Sequence, residues 1–196
     1  MNEKKERIGI FGGSFNPIHR GHIEMINLAI KELKLERLYL VPVGTPCHKC
    51  DKEFASGTHR LKMAVLASNH HPKIYPCDLE VNSKKTSYTY DTLLQISKLH
   101  PNSIIYEIIG EDSAEYLHKW KNYNKMKEIC EFVYFRRHGY KSTSKDIRSI
   151  EAPLFHVSST MIREKIKNNE PLDEYLTPEV EGYIKENKLY RDPPPF

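Results

Sequence analysis

An apolar strand that breaks on paired glycines and restarts as a helix headed by two histidines is the feature that most restricts this chain. Residues 8–11 form a short apolar run, Gly12-Gly13 follows it, and from Gly21 the residues Ile23, Ile26, Ile30 and Leu33 recur at helical spacing. A strand, a glycine turn and a helix in this order present backbone N–H groups and the positive end of a helix dipole to an anion. His19 and His22, within His19-Arg20-Gly21-His22, stand at the mouth of that helix. Their imidazoles can donate hydrogen bonds to phosphate oxygens. The chemistry this points to is nucleotide binding with reaction at a phosphate.

The rest of the chain repeats the alternation. Residues 37–43, 103–110, 132–135 and 154–157 read as strands and 74–81 as an extended segment. Residues 59–69, 90–100, 161–168 and 178–187 read as helices, the last with Thr177 as N-cap and Pro178 in its first turn. Such alternation predicts an α/β fold: a Rossmann-like, doubly wound, mostly parallel sheet with helices on both faces and a small helical C-terminal part. Nothing splits the core, so residues 1–196 are expected to be a single domain, with about 158–190 forming the helical C-terminal subregion.

A second motif stands at Val157-Ser158-Ser159-Thr160-Met161-Ile162-Arg163. Ser158 or Ser159 is a natural N-cap, and Arg163 falls about one turn into the helix that follows. By itself this reads as a capped helix with a surface arginine. Together with the histidine motif it reads as a clamp for a triphosphate, built from two helix N-termini.

Composition removes several other classes. Lys and Arg number 30 against 26 Asp and Glu, a net charge of +4 with no long basic run, which suits a small anionic substrate and does not call for nucleic acid. No apolar run reaches membrane-spanning length, and the charged N-terminus lacks the apolar core of a signal peptide, so a cytoplasmic protein is expected. Cys47-His48-Lys49-Cys50 has the spacing of half a zinc site or of a redox pair. Cys77 and Cys130 do not supply a second pair, so a loop with free thiols is the reading favoured.

The two motifs, Gly-Gly-Ser-Phe-Asn-Pro-x-His-x-Gly-His and Ser-Ser-Thr-x-x-Arg, are similar to the signatures of the nucleotidyltransferase α/β-phosphodiesterase superfamily. Within it the chain resembles the bacterial nicotinate-nucleotide adenylyltransferases over nearly its whole length. That resemblance includes Pro46-Cys47-His48-Lys49, Thr86-Ser87-Tyr88-Thr89-Tyr90-Asp91-Thr92, Ile109-Gly110-Glu111-Asp112 with Trp120 beyond it, and Tyr175-Leu176-Thr177-Pro178-Glu179.

The resemblance implies transfer of the adenylyl group of ATP to nicotinate mononucleotide, giving deamido-NAD and pyrophosphate, with Mg2+ accompanying ATP and no resident metal ligands. The mononucleotide's phosphate is already anionic at neutral pH, so neither a strong base nor a covalent intermediate is implied, and catalysis is positioning plus charge stabilisation. His19, His22 and Arg163 would be the catalytic groups. Gly12, Gly13, Ser14, Phe15, Asn16, Lys49, Ser158, Ser159 and Thr160 would bind ATP. Thr86, Ser87, Tyr88, Thr89, Asp112 and Trp120 would bind the mononucleotide, the tryptophan by stacking on the pyridine ring and the 86–89 segment by donating to its carboxylate. Asp112-x-x-Glu115 also matches a capping box. Arg136 or Arg137 is a further candidate for the nucleotide. Alternatives are an amide-specific or dual-specificity adenylyltransferase and a catalytically silent nucleotide-binding regulator. The partners expected are the two substrates, with no nucleic acid and no membrane, and with self-association left open.

Overall fold

The computed structural model describes residues 5–44, 54–69, 71–83, 86–137 and 147–191, the side chain of Arg137 excepted. Six strands form one sheet: β1 (Arg7–Gly13), β2 (Arg37–Pro42), β3 (Ile74–Pro76), β4 (Ile104–Ile109), β5 (Cys130–Arg137) and β6 (Arg148–Ala152). Their order is β3-β2-β1-β4-β5-β6, and every pairing is parallel. The chain therefore winds outward from β1 in one direction and then from β4 in the other. The crevice at the carboxyl ends of β1 and β4 is the switch point where such sheets hold ligands.

The α-helices among the described residues are α1 (Arg20–Glu32), α2 (Gly57–Ser68), α3 (Thr89–Leu99), α4 (Glu111–Tyr116), α5 (Tyr123–Met126), α6 (Ser159–Lys167) and α7 (Pro178–Glu186). They cover both faces, and the alternation of strand side chains sorts the core accordingly. Phe11, Leu38, Leu40, Tyr106, Ile108, Val133 and Phe135 face α1, α2, α6 and α7. Ile8, Ile10, Val41, Ile105, Ile109, Phe132 and Tyr134 face α3, α4 and α5. A doubly wound sheet needs two such cores, and the β-branched richness of β4 follows from its burial on both sides.

Local signals explain most boundaries. Ser158 caps α6, its Oγ accepting from the Met161 N–H at 3.2 Å, and Thr177 caps α7 in the same way ahead of Pro178. Three expectations need correction. The last strand is Arg148–Ala152, and residues 153–158 form an irregular segment whose apolar residues line a cleft without pairing in the sheet. The extended run from Ile74 ends at Pro76, and residues 79–82 are a turn. Asp112 does not cap α4: Gly110 is the N-cap, and Asp112 lies in the first turn beside Glu111, where acids favour the positive helix end.

Candidate active site

The loop between β1 and α1 is built around side chains that fold back on it. Phe15 has a left-handed backbone (φ 45°) and is buried; its ring meets the His22 ring edge-on at 5.1 Å. A Cβ on Gly13 would stand 2.8 Å from that ring, so only glycine lets Phe15 turn under the strand end. His19 is the N-cap of α1, and its backbone N–H donates to His22 Nδ1 at 3.2 Å. The two imidazoles stack with centroids 3.6 Å apart. A neutral imidazole that accepts at Nδ1 carries its proton on Nε2, so His22 is set as a donor through Nε2.

Burial keeps both histidines uncharged. Desolvation lowers His19 to about 4, and it lowers His22 well below the usual histidine range, with the neighbouring His19 acting in the same direction. Gly21 brings the next element close: a Cβ there would lie 2.7 Å from Val157 Cγ1 and 3.2 Å from His19 Nδ1. The glycine between the histidines is thus what lets the 153–158 segment close on the first turn of α1.

The two sequence motifs meet, with a division of labour the sequence does not show. Ser159 Oγ donates to the Pro17 carbonyl at 2.8 Å, and Arg163 Nη1 donates to the Asn16 carbonyl at 2.9 Å while Nη2 reaches Thr160 Oγ1 at 3.3 Å. Asn16 Oδ1 accepts from the Ala55 N–H and from the Tyr190 hydroxyl, both at 3.0 Å. Asn16 is therefore a buried strut, and α6 and Tyr190 brace the histidine loop from behind.

Arg60 is a second strut, absent from the sequence motifs. It is 1% exposed, and its guanidinium donates to the carbonyls of Ala55 (3.0 Å), Ser14 (2.9 Å) and Gly44 (2.9 Å). One planar group thereby joins the loop after β1, the loop after β2 and the entry to α2, a geometry that suits the rigid fork of arginine.

Two cavities adjoin at this point. The larger, about 830 Å³, is lined by Gly12, Gly13, Ser14, Phe15, His19, His22, Glu111, Asp112, Arg136, residues 152–157, Ser158 and Ser159. The smaller, about 430 Å³, is lined by Ile10, Glu80, Thr86, Ser87, Tyr88, Thr89, Glu107, Ser113 and Trp120, among others. They share Gly12, Gly13 and Gly110, the ends of β1 and β4.

Trp120, the sole tryptophan, is half-buried and lines the smaller cavity together with the 86–89 segment. Asp112 lines the histidine cavity instead of the tryptophan cavity. Thr160 and Arg163 do not line the histidine cavity. Arg136 does, 3.5 Å from Glu151. Lys49, Cys47 and Cys50 lie outside the described residues. Among the described residues no three His, Cys, Asp or Glu side chains converge as a metal site.

The sequence reading passes over one acid. Glu107 lies in β4 and lines the tryptophan cavity at 3% exposure. A charged residue inside Ile-Ile-Tyr-Glu-Ile-Ile is a legible signal of something other than core.

Comparison with known proteins bears on this arrangement. The family model described as cytidylyltransferase-like matches residues 10–165. A probable nicotinate-nucleotide adenylyltransferase of Bacillus cytotoxicus is 40% identical over 186 residues, covering 94% of this chain and 98% of that protein. The nicotinate-nucleotide adenylyltransferase of Bacillus subtilis is 34% identical over 186 residues, with the same coverage. Among solved structures, nicotinic acid mononucleotide adenylyltransferase of Plasmodium falciparum, complexed with NaAD, superposes with a TM-score of 0.73 at 26% identity, covering 94% of this chain and 97% of that one.

Proposed function

The chain belongs to the nicotinate-nucleotide adenylyltransferases, within the cytidylyltransferase-like family, and from its two cavities we propose that it transfers the adenylyl group of ATP to nicotinate mononucleotide, releasing pyrophosphate. The observation that carries this is the junction at Gly12, Gly13 and Gly110. It adjoins a cavity headed by two imidazole donors to one holding an aromatic ring and a helix N-terminus. Two nucleotides filling them would bring a phosphate of each to the shared glycines, where no Cβ keeps the backbone from the reacting atoms.

In this reading ATP occupies the larger cavity as its magnesium complex, so the metal arrives with the substrate. His22 donates through Nε2 to the transferring phosphate, with His19 stacked behind it. Gly12, Gly13, Ser14, Ser158 and Ser159 bind along the nucleotide. Asn16, Thr160 and Arg163 hold the loop in place. Lys49 is proposed to reach the phosphates, and Asp112 to meet substrate where the two cavities join.

In the smaller cavity Trp120 stacks on the pyridine ring. Tyr88 is the N-cap of α3 and makes no side-chain capping bond, so the first N–H groups of that helix, at Thr89 and Tyr90, remain for a carboxylate, while those of Asp91 and Thr92 donate to the Tyr88 carbonyl. An anion is favoured there, because the helix N-terminus carries partial positive charge. The phosphate oxygen of the mononucleotide attacks the α-phosphorus in line as the bond to pyrophosphate breaks, with no covalent enzyme intermediate. The whole chain acts as one domain, residues 158–190 serving as the brace behind the histidine loop.

The direct test follows pyrophosphate release with ATP and either the acid or the amide mononucleotide. The expected result is a clearly higher kcat/KM for the acid. Equal values for the two would remove the argument from the α3 N-terminus, and no release with either would overturn the function.

A further inference from the structure

The tryptophan cavity holds a polar group that the proposed function has not used. Glu107 shares a sheet face with Ile105 and Ile109, and β4 lies between β1 and β5, with Glu107 in register with Ile10 and Phe132. Two residues further along each strand, the chain reaches Gly12 on β1 and Ile109 on β4, beside the junction with the ATP cavity. Ile10 and Glu107 therefore mark the inner end of the smaller cavity, and the glycines mark its mouth.

Glu107 lines this cavity, and its carboxyl oxygen Oε2 is buried with no hydrogen-bond partner among the described residues. An unsatisfied buried carboxyl costs stability and would not persist as mere filler among isoleucines.

We propose that Glu107 is a specificity-determining residue of the mononucleotide site, hydrogen-bonding the polar substituent of the pyridine ring from the inner end of the cavity. The proposal rests on the reading of this cavity as the mononucleotide pocket. With the nucleotide's phosphate at the glycine mouth, the ring and its substituent extend inward, between Trp120 and the strand residues. One oxygen of a ring carboxylate meets the N-terminus of α3, and the other meets Glu107.

The carboxyl is suited to this because its surroundings favour the neutral acid form. Burial pushes it well above the usual carboxylate range, and the Glu80 carboxyl across the cavity acts in the same direction. Glu80 is itself raised by burial, although the Thr92 hydroxyl at 2.9 Å and the Arg60 guanidinium partly offset this. The Cys130 thiol of β5, also raised by burial and by Glu107, is a further titratable neighbour among the described residues, and it is not a cation. A neutral carboxylic acid donates its O–H, so an incoming carboxylate meets a donor and a short charge-assisted bond forms.

The experiment uses the full chain and its single tryptophan. Quenching of Trp120 fluorescence gives the Kd of nicotinate mononucleotide directly, and steady-state assays give KM for each substrate. Glu107→Leu removes the hydrogen bond at similar volume, and Glu107→Gln keeps a neutral donor. Glu107→Met serves if the leucine variant is insoluble.

Glu107→Leu or Glu107→Met is expected to weaken mononucleotide binding about tenfold or more, with KM for ATP unchanged and the melting temperature equal to or above that of the wild type. Glu107→Gln is expected to stay within about threefold of the wild type. The proposal is overturned if the apolar variants bind the mononucleotide as tightly as the wild type, if KM for ATP rises in parallel, or if Glu107→Gln loses as much as leucine. Absence of turnover in the wild type would instead count against the proposed function, which keeps the two failures apart.

Discussion

Arg60→Met tests whether the site is held by struts behind it. The guanidinium makes three hydrogen bonds, all to backbone carbonyls, from a position 1% exposed, and its charge lies over the Phe54 ring at 4.6 Å. Hydrogen bonds from a charged donor are worth about 1.5–3 kcal/mol each, so the gross loss is about 4.5–9 kcal/mol. Methionine recovers only part of this, the several kcal/mol that burying a charge costs, and burial does lower the arginine's affinity for its proton. The net expectation is about 3 kcal/mol of destabilisation, or about 6–12 °C in Tm for a chain of this size. Because the carbonyls released include those of Ser14 and Gly44, the glycine junction also loosens, and kcat/KM should fall about 10- to 100-fold. Urea unfolding and initial-rate assays on the purified variant measure both. Arg60→Lys should sit between the two, since one ammonium does not span three carbonyls. A methionine variant within about 0.5 kcal/mol of the wild type and equally active would refute the reasoning.

Three other outcomes are expected. His22→Ala should abolish adenylyl transfer while leaving the melting temperature within a few degrees; near-normal turnover would remove the imidazole from the reaction. Gly21→Ala should cost about 1–3 kcal/mol and raise KM for ATP more than KM for the mononucleotide, because its Cβ meets Val157 and His19; unchanged ATP affinity would count against that packing. Acid should destabilise the fold through His19: the unfolded chain takes up this proton near 6.5 and the folded chain near 4, so stability falls as pH drops between those values, by about 2 kcal/mol by pH 5, and His22 adds in the same direction. Urea unfolding at pH 7 and pH 5, with His19→Asn as control, checks this, and an equal loss in the control would show that other groups are responsible.

What the sequence makes legible is whatever is local. Residues 8–22 show a strand, a glycine turn and a capped helix because each step depends on neighbours only, and Ser158 and Thr177 cap their helices for the same reason. The struts are not local. Arg60 looks like one more charged residue on a helix, and its burial arises only when three loops close around it. Tyr190 lies 174 residues from the Asn16 it bonds. The strand expected at 154–157 fails because apolar residues that close over a ligand cleft have the same composition as a buried strand. Glu107 stands out in the sequence as a lone acid in an apolar strand, but the cavity it lines does not.

The state of the histidines follows from these packing relations and limits the chemistry. His22 Nδ1 is occupied by the His19 N–H, which leaves the proton on Nε2, and burial keeps the ring neutral at pH 7. A neutral ring in this tautomer has no lone pair left with which to take a proton at Nε2, so it is a donor and not a base. A reaction that needed deprotonation of its nucleophile would be poorly served by such a pair. A reaction whose nucleophile is a phosphate, already ionised, requires only that charge moving onto the transferring and leaving groups be met by fixed donors. Both rings are fixed, His22 by the His19 N–H and by the edge of Phe15, and His19 by the stack and by Gly21. The loop that carries them is in turn tied at the carbonyls of Asn16 and Pro17 by residues of α6. In the proposed phosphate site the Ser-Ser-Thr-x-x-Arg motif would therefore serve in two ways. Ser158 and Ser159 line the cleft, and Ser159 and Arg163 fix where the imidazole donors stand.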